Sequence, residues 1–183
     1  MKRPRSFYIK RYPNTNVQGF EAVMLNLNTT IAKMKIASER GLLEAAYFIR
    51  HETEEKADAT PLDYGNLRAS WFTTWSKGVA KDPLRLSGRF KNNKRKKLTA
   101  SQFQTWHTQA TAEASGMSAA NPRKATVVMG YSANYAMWVH EMIGAEYTPR
   151  GPAAGPKWFE KAIDRNAGKL IEIIRQTSKS PIK

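Results

Sequence analysis

The side chains able to do chemistry are few and scattered. His51, His107 and His140 are the only imidazoles, and there is no cysteine. His51 stands beside Glu52 and Glu55, but no second histidine follows at a metal-ligand spacing. His140-Glu141 begins like a helical zinc-protease motif and then lacks the histidine four residues on. No GxSxG, P-loop or GxGxxG occurs. Without cysteine there is no disulfide, no thiol nucleophile and no thiolate-held metal. The expectation is a protein without catalytic residues, cofactor or metal. Asp63 and Arg68 remain as a polar pair, and they read as the buttress of a turn, not as a general acid and its partner.

That turn lies in residues 59–71, ATPLDYGNLRASW, where helix, turn and strand patterns meet. Pro61 cannot continue a helix and pushes Thr60 towards extended geometry. Asp63 is able to accept from backbone amides two or three positions on, and Gly65 supplies a positive φ.

The formal charge of +15 is unevenly distributed. Five bases, among them Lys2, Arg3 and Arg5, precede the first acid, Glu21. Between Lys77 and Lys97 nine bases face Asp82 alone, including Lys91, Lys94, Arg95, Lys96 and Lys97. The rest is near neutral, so the pattern is a body with two basic extensions, suited to phosphate or to acidic protein surfaces. KNNKRKK with Phe90 and Phe103 nearby would contact phosphates and stack on bases, but it matches no base-reading module. The alternative function is therefore a DNA-binding protein without sequence specificity, using arm and insertion on the phosphate backbone and weakened by salt.

No run approaches the roughly 18 apolar residues of a membrane span. The basic N-terminus lacks the apolar region of a secretory signal. A soluble protein made in a cytoplasm, with no membrane partner, is expected.

The elements follow from periodicity. Residues 1–18 read as a basic arm, and residues 19–183 as a single α+β domain. Phe20, Val23, Met24 and Leu27 suggest two helical turns, after which Asn28 would cap a longer helix over 29–57. Its stripe is Ile31, Met34, Ser38, Leu42, Ala45, Ala46, Ile49, Thr53 and Ala57; Glu39, Arg50 and Glu54 are assigned to a solvated face. Gly41 suggests a bend or close packing. Residues 67–75 read as a strand. Residues 77–122 read as a flexible basic insertion, with no packed element over 77–101 and a helix over 103–117 resting on Phe103 and Trp106. TVVMGY, 126–131, is the clearest strand, 135–143 is helical, and a last helix follows Pro156 to about residue 177.

The order of three motifs resembles the tail-completion or head-to-tail joining proteins of long-tailed bacteriophages. Pro61, Asp63, Gly65, Leu67, Arg68 and Ser70 match a T-P-x-D-T-G-x-L-R-x-S pattern, with Tyr64 in place of threonine. Tyr135, Ala136, Val139, His140 and Glu141 match the second motif, and Pro156, Phe159 and Ala162 the third. The resemblance implies an α+β subunit: a small, largely antiparallel sheet packed by the long N-terminal helix and a C-terminal helix, with the long basic insertion as a departure from the family. It also implies a structural virion protein of the neck or tail end, assembled in the host cytoplasm. This protein would form a ring, expected to be hexameric, that completes the tail and joins it to the DNA-filled head. Expected partners are further copies of itself, neighbouring neck, connector, tail-terminator or tail-tube proteins, and the phosphate backbone of genomic DNA. Trp71, Trp75, Trp138 and Trp158 are candidates for the ring interface, since aromatics dominate such surfaces.

Overall fold

In the computed structural model, the described residues are 20–56, 58–121, 124–144 and 154–179, with side chains from residue 25 onward. Lys2, Arg3 and Arg5 lie outside them, as does most of the Gly-Pro loop before the last helix. The chain divides into two units, residues 1–32 and 33–183. The first is described only through the start of helix α1, where Thr29 and Thr30 donate to the carbonyls of Leu25 and Asn26 and where Leu25, Leu27 and Ile31 are exposed.

Helix α1 runs unbroken over Phe20–Glu55, so Asn28 lies within it and caps nothing. The expected stripe is buried at Ala45, Ala46, Ile49 and Thr53, whereas Met34 is exposed. The solvated face is corrected at three positions: Glu39, Arg50 and Glu54 are buried. Each has found a partner or a ring in the interior, as a buried charge must. Glu39 accepts from Ser76 Oγ and pairs with Lys35.

The second unit is α+β. A short helix α2, Asn66–Ala69, leads into strand β1, Trp71–Trp75, so the strand starts later than the aromatic run suggested. β2, Gly78–Val79, and β3, Val128–Tyr131, pair antiparallel with the two edges of β1, giving the order β2-β1-β3. Trp71 lies opposite Tyr131 and Thr73 opposite Met129. Because side chains alternate across a strand, Trp71, Thr73, Met129 and Tyr131 share one face and Phe72 and Thr74 the other. The first face packs on α1 and on α5, Trp158–Lys179, through Ile49, Ala162 and Phe159. The second meets helix α3, Ala100–Ala119, where Phe72 is edge-on to His107 and Thr74 bonds Ser118 at 2.9 Å. Cover on both faces explains why Trp71, Phe72, Thr73 and Thr74 are all buried. A capping box between Thr99 and Gln102 starts α3, and Phe103 is buried on it, with Trp106 packed alongside. Helix α4, Ala136–Glu141, follows β3.

Gly41 is a close-packing site. A Cβ there would sit 2.9 Å from the Ile174 carbonyl oxygen of α5. Gly41→Ala should gain about 1 kcal/mol in helix propensity yet lose more to this clash, leaving the fold about 1–2 kcal/mol less stable. Thermal unfolding checks it; an unchanged or raised Tm would show that α5 does not seat against Gly41.

Candidate functional site

The segment after α1 is held by charge. Thr60 N–H donates to the Thr53 carbonyl at 2.7 Å, folding the chain back on the helix end. The Arg68 guanidinium donates twice to the Thr60 carbonyl, at 3.0 and 2.8 Å, and its Nε lies 3.0 Å from Glu54 Oε2. Arg50 Nη1 stands 2.7 Å from Glu54 Oε1, Arg50 Nη2 donates to the Arg68 carbonyl, and the guanidinium carbon is 5.2 Å from the centroid of the Trp71 ring. The carboxylate partner of Arg68 is thus Glu54, correcting the Asp63–Arg68 buttress. Burial pushes the Glu54 carboxyl up to about 7 against the pull of the two guanidinium groups. Tyr131 Oη bonds Thr60 Oγ1 at 2.7 Å and donates to Thr53 Oγ1, tying β3 to the same point, and burial raises its pKa.

Gly65 takes φ +83° as expected, but no side chain caps α2 there. Asp63 is instead exposed. Leu67 is in the core and Ser70 Oγ donates to the Leu67 carbonyl. The first motif is therefore mostly scaffold.

The expected flexible insertion carries structure, and polar bonds supply it. Asn66 Oδ1 accepts from Lys91 N–H and its amide donates to the Lys91 carbonyl, imitating a strand partner. Asp82 accepts from the amides of Leu84, Leu86 and Ser87, and Gly88 N–H donates to Ala69. Ser87 Oγ donates to the Trp71 carbonyl and lies 3.2 Å from His107 Nε2, whose Nδ1 is 2.9 Å from Ser132 Oγ. Phe90 stacks on Phe103 at 5.5 Å. At the tip, Asn93 and Leu98 pair as an antiparallel bridge, with Lys94–Lys96 a 3-10 turn between them capped by Asn93. Lys91, Lys94, Arg95, Lys96 and Lys97 are all exposed on this closed hairpin. The basic run is thus a presented tip on a fixed base.

Beside the tip lies a cleft of about 520 Å³. Pro61, Asp63, Gly65 and Leu67 of the first motif line it together with Tyr135 and Val139 of the second. Asn93, Lys96 and Leu98 bring the basic hairpin to the same cleft. Burial, with the charge of Asp63 adding to it, pushes the Tyr135 hydroxyl up to about 12, so it stays a protonated donor.

The remaining motif residues join α4 to α5. Ala136 is buried. Lys157 N–H donates to the His140 carbonyl at 2.8 Å, and Glu141 pairs with Lys157, whose hydrogen bond holds the carboxyl low. His140 sits edge-on to Trp158, with centroids 4.8 Å apart. Pro156 precedes α5 half-buried, and Phe159 packs edge-on to Trp71 and Tyr131. Of the four candidate interface tryptophans, Trp71 and Trp158 are 1% exposed and belong to the chain's own core, so neither offers a surface for an interface. Trp75 is half-buried under Lys77, and Trp138 is 72% exposed.

Among the described residues, no group of three or more histidine, aspartate or glutamate side chains is placed to hold a metal ion, and no helix is long and apolar enough to cross a membrane. Comparison of the chain with protein-family models, curated proteins and solved structures finds no match.

His107 anchors the hairpin base in neutral form, because burial lowers its pKa below the usual 6.5. The unfolded chain then takes up the proton first, so the stability His107 contributes is present above pH 6.5 and is lost as the pH falls below it. Glu54, shifted the other way, works against this in an overlapping range, so the readout is a difference. The stability gap between wild type and His107→Gln in urea unfolding should be widest above pH 6.5 and narrow below it. A gap independent of pH would contradict a neutral anchor.

Proposed function

We propose that this chain is a structural virion protein of the neck or tail end of a long-tailed bacteriophage, forming a ring that completes the tail and joins it to the DNA-filled head. The support begins with the three ordered motifs. One observation carries the reading further: the motif residues serve as scaffold, and what they scaffold is surface. Gly65, Leu67, Arg68, Ser70, Ala136 and Phe159 fix the turn, the sheet and the last helix. The groups left facing outward are a cationic tip and apolar side chains on and beside α4, with Met137, Trp138 and Ile143 exposed. Such a surface suits docking and not bond chemistry.

In a closed ring each subunit presents two different patches, so an apolar patch such as that around Trp138 must meet a different patch on its neighbour. The ring would be built from copies of this chain, hexameric by the resemblance. The basic tip would reach acidic surfaces on connector, tail-terminator or tail-tube partners. The same exposed tip also favours the second reading, contact with DNA phosphates without sequence preference.

The test neutralises the tip. A variant with Lys94, Arg95, Lys96 and Lys97 all replaced by glutamine should keep its Tm within about 2 °C, since exposed substitutions change stability little. It should form rings in negative-stain images while supporting markedly less head-to-tail joining in vitro. Undiminished joining would contradict the role of the tip, and a wild-type chain that is monomeric and joins nothing would contradict the assembly reading. Retention of wild type on a DNA column at physiological salt, lost in the variant, would favour the second reading.

A further inference from the structure

We infer that the cleft beside the basic tip is the docking site for an acidic segment of a partner protein that inserts one apolar side chain. The inference rests on the assembly reading for the class of partner, and the cleft itself supplies the rest. Leu67, Leu98, Val139 and the ring of Tyr135 give its wall an apolar character, and about 520 Å³ accommodates one large side chain with the backbone on either side of it. Charge selects what surrounds that anchor. Lys96 is in the lining, Lys94 and Arg95 are its exposed neighbours on the same 3-10 turn, and exposed Lys97 follows at its end. Among the described residues Asp63 is the single carboxylate in the lining, available to a backbone N–H of the incoming segment, and the four cations of the tip outnumber it.

The arrangement is also held in place. Asn93 and Leu98 are locked by their mutual backbone bonds at 2.7 and 3.0 Å, and Asn66 pins Lys91 at the hairpin base. A site formed before binding loses little ordering entropy when it is filled. Acidic residues would speed encounter and set register, while the apolar anchor would set residence.

The test uses the full chain and two labelled peptides, Asp-Asp-Glu-Phe-Glu-Asp-Asp and the same peptide with alanine for phenylalanine, followed by fluorescence anisotropy at physiological salt. Wild type should bind the phenylalanine peptide about tenfold or more tightly than the alanine one. Asn134→Trp, at an exposed cleft position, should erase that preference while leaving the weaker, salt-sensitive binding of both. Lys96→Gln should weaken both peptides. Equal binding of the two peptides by wild type would overturn the inference, as would tighter binding of an oligothymidylate that displaces the phenylalanine peptide. Ring formation is scored on the same samples: rings without anchor preference overturn the cleft assignment alone, whereas anchor preference without rings overturns the assembly reading alone.

Discussion

The Glu54 carboxylate and the Arg68 guanidinium meet at 3.0 Å in a place where Glu54 is 3% exposed, and the second unit is arranged around that meeting. A carboxylate there without its partners would be strongly destabilising, and so would the fully buried Arg50. Arg50 and Glu54 pair within α1, and the cluster is completed once the chain has turned at Gly65 and brought Arg68 back to the end of the helix. The same guanidinium then closes on the Thr60 carbonyl, and Thr60 closes on Tyr131. One buried ion cluster thereby ties the helix end, the turn, the start of β1 and strand β3 together. Ile49, Trp71 and Ala162 pack together beside the cluster, with the Trp71 ring against the Arg50 guanidinium.

This constraint separates scaffold from surface. Most residues of the first motif are occupied in holding the cluster and the turn, and those of the third in seating α5. The fixed base lets a hairpin rich in lysine stand closed beside an apolar cleft, where mutual repulsion would otherwise spread it. The docking role proposed for this chain rests on that pairing of cations with an apolar recess more than on either alone.

The long helix, the TVVMGY strand, the last helix and the positive φ of Gly65 were legible because each leaves a local signal in spacing or residue type. The burial of Arg50 and Glu54 was not. On a helix a charged side chain is assigned to solvent unless a partner is in sight, and Arg68 comes into sight only after the turn is made. Order within the insertion was hidden for a related reason, since Asn66, Asp82 and Ser87 supply it through backbone hydrogen bonds that hydropathy does not register. His107 had a readable signal: with Phe103, Thr111, Ala114 and Ser118 it forms a buried stripe at helical spacing, but a stripe of mostly small and polar residues. The cleft had none, because three distant segments line it. Burial of Trp71 depended on α1 and α5 covering its face of the sheet, and that of Trp158 on its seat against Tyr131 and His140, neither of which residue type alone reveals.

A double-mutant cycle on Glu54→Gln and Arg68→Met tests the central constraint most directly. It should be read by urea unfolding through tryptophan fluorescence, at a pH well above 7 where the Glu54 carboxyl is ionised. Each single change should remove about 3–5 kcal/mol, Glu54→Gln by leaving two guanidinium groups without their carboxylate and Arg68→Met by leaving Glu54 with Arg50 alone. The double change should remove less than their sum by about 1–3 kcal/mol. Single losses below about 1 kcal/mol that simply add would mean that the two charges do not depend on each other, and that something else holds the turn to the helix.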